Sequence, residues 1–241
     1  MKIVKVLSSL GGMGNSNNSE KAPELIINEL RQFNLNFEVK SVKVDGDLDG
    51  LYKDLERVDG DIFIGGDHGI TYGLCNNFDG LLIFDAHPDC EVYTKTATHE
   101  DFLRKLIEEG RIKKENIILV GVRNVSKNEK EFLEKNRIKV FYMKDIFDSD
   151  VKEICDIIME VCNKFNNLYL SIDIDVVDPA FAPGVGYLES GGLTSNEILY
   201  FVRRLKLLKN LKRIDLVEVI PQKDKNDITI NLAVRILKEF L

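Results

Sequence analysis

No apolar run in this 241-residue chain approaches the ~20 residues that a membrane-spanning helix needs, and the N-terminus lacks a signal-peptide pattern. No Lys/Arg-rich stretch stands out, and the formal net charge is −7. Both features make nucleic acid a poor partner. None of the four cysteines, Cys75, Cys90, Cys155 and Cys162, stands in a CxxC pair, which argues against a zinc knuckle or a thioredoxin-like redox motif. Their scattered spacing points to reduced thiols and a cytoplasmic protein rather than to a disulfide framework. No long polar tract, linker, repeat or domain boundary interrupts the chain, and 44% of its residues are hydrophobic. Residues 1–241 therefore read as one globular domain, not as a disordered or modular chain.

What the chain has is alternation. Short apolar runs predict strands over 3–7, 37–44, 61–64, 81–85, 116–120, 138–142, 168–173 and 214–219. Amphipathic stretches predict helices over 20–33, 47–57, 99–109, 127–135, 151–165, 195–207 and 228–240. The runs LLIFD, IILVGV and LYLSIDID are almost wholly apolar, as strands buried on both faces are. The alternation implies an α/β fold with a mostly parallel sheet covered on both sides. In such sheets ligands bind beyond the carboxyl ends of the strands.

The chemically distinctive residues lie just there. Only three histidines occur, His68, His87 and His99, and each stands within two positions of Asp, Glu or Gly, past a predicted strand or at a helix start. In LLIFDAHPD, Asp85, His87 and Asp89 are spaced by two, so an extended chain projects them to one side. In LYLSIDIDVVDP, Asp173 and Asp175 repeat the pattern, with Asp178 and Pro179 following. Carboxylates crowded on one side repel unless protonated or bound to a cation. IFIGGDHG adds His68 after a Gly-Gly turn. Two imidazoles and four carboxylates suffice for two divalent ions, and the oxygen and nitrogen donors suit manganese-type metals better than structural zinc. Two such ions make a water between them a nucleophile near neutral pH.

The segments GGDHGITYG from Gly65, FDAHPD from Phe84, SIDIDVVDPAFAPGVG from Ser171 and DLVEVIP from Asp215 together resemble the ureohydrolase family of arginases and agmatinases. The stretch GGMGNSNNSEKAPELI from Gly11 is similar to the family's glycine-bearing active-site loop. It lacks the GK[ST] ending of a phosphate loop. The resemblance implies a three-layer α/β/α fold around an eight-stranded, mostly parallel sheet, the architecture of arginases and deacetylases. It also implies two manganese ions per chain, or another divalent pair, and a homo-oligomer. Carried over residue by residue, His68 and Asp89 hold one metal, His87 and Asp175 the other, and Asp85 and Asp173 bridge them. Glu218 matches the acid that receives the substrate guanidinium, and His99 the histidine that moves protons or helps the amine leave. A carboxylate suits a planar guanidinium through paired hydrogen bonds, and an imidazole suits the proton transfer.

The chain departs from the family at Gly69, at Glu100 and at Tyr187–Ser190, where YLES replaces a Pro-bearing stretch. Its N-terminus is also short by family standards. The loop Cys90–Thr98, CEVYTKTAT, is shorter than in arginases and lacks their carboxylate-reading pattern. Hydrolysis of agmatine to putrescine and urea is thus the first expectation, with Glu91 a candidate contact for a distal ammonium. Arginine, other guanidino acids and formiminoglutamate are the alternatives, with Lys95 the candidate contact for an acidic tail. From other classes, a non-catalytic metal-binding protein, a single-metal deacetylase-type hydrolase and a binuclear phosphatase compete. The last would want a basic phosphate-binding cluster, which the sequence lacks.

Overall fold

The computed structural model describes residues 1–13, 18–42, 44 and 46–241. Every predicted apolar run becomes a strand: β1 Lys2–Val6, β2 Glu38–Val42, β3 Ile62–Ile64, β4 Gly80–Phe84, β5 Ile117–Val122, β6 Lys139–Tyr142, β7 Leu168–Asp173 and β8 Leu211–Val217. They form one sheet in the order β2-β1-β3-β8-β7-β4-β5-β6. All neighbours run parallel. The near-continuous apolar runs account for central strands: β3, β4, β5 and β7 are buried at every position. The edges β2 and β6 are partly exposed and carry charge, which blunts open strand edges.

The helices are α1 Ala22–Leu30, α2 Leu48–Leu55, α3 Ile70–Leu74, α4 Phe102–Glu108, α5 Lys127–Asn136, α6 Met143–Asp148, α7 Val151–Cys162, α8 Ser195–Leu205 and α9 Ile228–Phe240. Side chains alternate across the pleat. Ile62, Ile64, Leu82, Phe84, Leu170 and Ile172 therefore meet α1 and α6 to α9 on one side. Phe63, Leu81, Ile83, Leu119 and Tyr169 meet α2 to α5 on the other. The result is the expected three-layer α/β/α architecture.

Two helices escape the sequence pattern, α3 and α6. Each spans under two turns, too short to show a period. Helix α3 depends on a tertiary fit: a Cβ on Gly73 would come within 3.0 Å of the Tyr52 backbone, so glycine lets α3 lie against α2. The strand expected over 37–44 and the loop expected over 11–26 both run across positions outside the described residues, 43 and 14–17 respectively. All four cysteines are buried and unpaired. Among the described residues no helix is long and apolar enough to cross a membrane.

Candidate metal centre

Four neighbouring strands, β3, β8, β7 and β4, carry the candidate residues at or beyond their carboxyl ends. His68 follows β3 after the Gly65–Gly66 turn. A Cβ on Gly66 would sit 2.0 Å from the Ser8 carbonyl, so only glycine lets the loop after β1 pass here. Asp85 extends the β4 ladder by donating its N–H to the Val120 carbonyl at 3.0 Å. Beyond it the chain turns. The His87 N–H bonds Asp85 Oδ1 at 2.7 Å, and Asp89 takes a left-handed φ of 49°. Strand β7 ends at Asp173, whose Oδ1 accepts the Asp175 N–H at 2.8 Å and caps a short helical turn over Ile174–Val176. Strand alternation therefore does not place Asp89 and Asp175. Turns bring both inward, because Pro88 and the Asp173 cap end the extended segments.

The side chains converge. Ligand atoms of His68, Asp85 and Asp173 lie within 4.8 Å of one another, as do those of Asp85, His87 and Asp175. Asp85 is common to both groups, whereas Asp173 stands with His68. Around His68 Nδ1 lie Asp89 Oδ2 at 2.9 Å, Asp85 Oδ2 at 3.0 Å and Asp173 Oδ2 at 3.3 Å. Around His87 Nδ1 lie Asp175 Oδ2 at 3.1 Å and Asp85 Oδ1 at 3.5 Å.

One detail decides what belongs between them. His68 Nδ1 and Asp85 Oδ2 are buried and close, yet neither makes a hydrogen bond. The Nδ1 lone pair of a neutral His68 repels a facing carboxylate unless a proton or a metal cation lies between them. Imidazole and carboxylate donors without thiolate are a set that suits manganese-type ions. The residues thus fit a pair of divalent cations. Their protonation agrees. Burial and then the Asp85 charge push the Asp89 carboxyl up to about 8. Burial, followed by Asp175 and Asp85, raises Asp173 well above the usual carboxylate range. Burial opposes the ionisation of Asp85 too, but His68 and His87 together hold it low. Without cations the cluster keeps protons that metal binding would displace.

Glu218 follows β8 with φ 64°, a strained conformation of the kind found at functional sites. Its Oε1 accepts the His68 N–H at 2.9 Å and faces His99 Nδ1 at 3.2 Å. His99 is placed by the loop after β1. Its N–H bonds the Gly11 carbonyl at 3.1 Å, and the Met13 N–H points at its Nε2 from 3.0 Å. Asp67 anchors that loop by accepting from the N–H groups of Gly11 and Gly69.

The cluster opens into a cavity of about 250 Å³ whose wall includes Glu91, Glu100, Glu129, Tyr187 and Glu218 besides the metal candidates. No Lys or Arg is among its described lining residues. Lys95 is not among its lining residues, and its carbonyl accepts from Lys105 Nζ. Asp178 is not part of the cluster. It accepts from Ala180, Gly191 and Gly192 N–H groups and shapes the loop that carries Tyr187 and Glu189. Arg123 holds the same loop from below. Its guanidinium donates to the carbonyls of Gly121, Asp175, Val176 and Glu189. The sequence gives no sign of that role, since the partners lie more than fifty positions away except for Gly121. Ser171, Asp215, Asp67 and Glu129 were also unassigned, although the first three stand inside the motifs.

A family model described as "Arginase family" matches residues 15–241. The arginase of Staphylococcus aureus (strain MRSA252) is 32% identical over 200 residues, 74% of this chain and 66% of that protein. The agmatinase of Bacillus subtilis (strain 168) is 33% identical over 189 residues, 74% of this chain and 61% of that protein. The match thus spans slightly less than two thirds of these relatives, and the identities do not set agmatinase apart from arginase. In fold, the chain is similar to the formimidoylglutamase of Bacillus subtilis, with TM-score 0.91 and 22% identity over 99% of this chain and 85% of that one.

Proposed function

The chain belongs to the arginase family, and from that premise we propose that it is a binuclear metal hydrolase that cleaves agmatine and water to putrescine and urea. The observation that carries the reading is the pair of His/Asp groups sharing Asp85, with His68 Nδ1 and Asp85 Oδ2 buried and unpartnered between them. His68 and Asp89 would hold one manganese ion, His87 and Asp175 the other, with Asp85 and Asp173 between. Bound there, two divalent ions supply a nucleophile from water near neutral pH and stabilise developing negative charge.

The chain's own residues do the rest. Glu218 receives the planar guanidinium through charge-assisted hydrogen bonds and turns its central carbon towards the cluster. In doing so it exchanges His99 for the substrate as its donor. His99, at the cavity wall, carries a proton to the departing amine, so putrescine leaves as an ammonium and urea as a neutral product. The buried Phe102 packs against the His68 ring with 4.6 Å between centroids.

The cavity supports agmatine over its competitors. Its wall carries Glu91, Glu100 and Glu129 and no described Lys or Arg. A distal ammonium gains from that field, whereas the carboxylates of arginine or formiminoglutamate lose by it. We further take residues 1–241 as one catalytic domain working in the cytoplasm as a homo-oligomer, without nucleic-acid or membrane partners.

The test is a specificity panel. Manganese-loaded protein is assayed for urea from agmatine, arginine, guanidinobutyrate and guanidinopropionate, and for formamide from formiminoglutamate. Agmatine should give the highest kcat/KM. A preference for arginine or formiminoglutamate would overturn the substrate, and turnover of none would favour a non-catalytic metal protein.

A further inference from the structure

Asp215 is a fully buried carboxylate that the proposed reaction does not use. It lies on β8, beside β7, and gathers three hydroxyls. Ser171 Oγ donates to its Oδ1 at 2.7 Å, Thr71 Oγ1 to its Oδ2 at 2.7 Å, and the Tyr169 hydroxyl also to Oδ2. Burial raises its pKa, yet three hydroxyl donors converge on its two oxygens, and in the ionised form it can only accept, which fixes the direction of all three bonds.

That direction propagates. A serine hydroxyl has one proton, and Ser171 spends it on Asp215. Towards His68 Nε2, 2.9 Å away, Ser171 can then only accept. Nε2 must therefore carry a ring hydrogen, so that the neutral ring presents its Nδ1 lone pair to Asp85, Asp89 and Asp173. Thr71 Oγ1, 3.3 Å from Ser171 Oγ, does not compete, because its shorter bond to Asp215 takes its proton. Phe102 stacked at 47° to the His68 ring holds the ring plane. If Ser171 turned its proton to Nε2 instead, the hydrogen would sit on Nδ1 and close that nitrogen to a cation.

We propose that Asp215, acting through Ser171, is a positioning residue that locks His68 in the tautomer with a free Nδ1 and so sets the metal affinity of the His68 half of the centre. The inference rests on reading the cluster as a metal centre. Outer partners of this kind are worth roughly ten- to a hundredfold in metal affinity.

The experiment is a manganese titration of the full chain, followed by the resonance of free manganese, with thermal midpoints measured alongside. Wild-type protein should bind two equivalents. Ser171→Ala should weaken one equivalent at least about tenfold and spare the other. Asp215→Asn should do the same, and the double variant should be no worse than either single one, since both cut the same relay. Tyr169→Phe removes another donor to Asp215 but not the relay. It should lower the thermal midpoint and leave both affinities unchanged. Ser171→Ala binding two equivalents as wild type does would overturn the relay while leaving the metal centre standing. So would equal weakening of both equivalents in Ser171→Ala and Tyr169→Phe. Wild-type protein binding no manganese would overturn the centre itself, and the relay with it.

Discussion

His99 answers to two opposed neighbours. The Met13 N–H needs a lone pair on Nε2, which the neutral ring has. Burial favours neutrality as well, but the hydrogen bond and charge of Glu218 outweigh it and hold the ring's pKa up at about 9. The charge sets the direction of the shift, and the Met13 bond is lost when the ring is protonated. This pKa stands above the ordinary 6.5, so folded protein binds the proton more tightly than unfolded chain does. The stabilisation is complete below about pH 6.5 and is lost as pH rises through about 9. It amounts to something on the order of 1–3 kcal/mol. Denaturation curves of metal-free wild-type protein and His99→Ala should therefore differ most at low pH and draw together between pH 6.5 and 9. Curves that stay parallel over that window would show that Glu218 does not hold the proton on His99. The sequence marked Glu218 through its motif and His99 through its match to the family's histidine, yet not their coupling, because 119 positions separate them.

At the scale of elements, the strands were readable because burial on both faces leaves a continuous apolar run. The long helices were readable because one buried stripe leaves a period. Helices α3 and α6 were not, being shorter than the pattern that would reveal them. The rows Asp85-His87-Asp89 and Asp173-Asp175 pointed to the right ends of the right strands. Asp89 and Asp175 arrive there through turns set by φ and by side-chain caps rather than by the pleat that the spacing suggests. The loop from Gly186 to Gly192 was least legible, since its anchors Arg123 and Asp178 act through backbone groups that any residue would offer. Arg123 uses all five N–H donors on four carbonyls, one of them that of the metal candidate Asp175. A lysine has three donors and no planar fork. Arg123→Lys should cost about 2–4 kcal/mol in urea denaturation and raise KM more than it lowers kcat, because Tyr187 and Glu189 lose their support. A stable variant with unchanged KM would mean that the loop is held by Asp178 alone.

For the whole molecule, the layered fold and the position of the centre follow from one arrangement. Strands β3, β8, β7 and β4 lie side by side although they come from distant parts of the chain. Their carboxyl ends pool imidazoles and carboxylates that no single segment could supply. Packing from two helical layers buries that pool. Burial in turn makes the crowded carboxylates costly without cations, and the cavity above them is lined by further acidic residues. The structure, the unpartnered atoms and the family membership all bear on a two-ion centre. The most direct measurement is urea released from agmatine as manganese is titrated into metal-free protein. A two-ion centre should give no release without metal, a rise that levels off at two equivalents per chain, and loss on chelation. Release by metal-free protein, or a plateau at one equivalent, would contradict it.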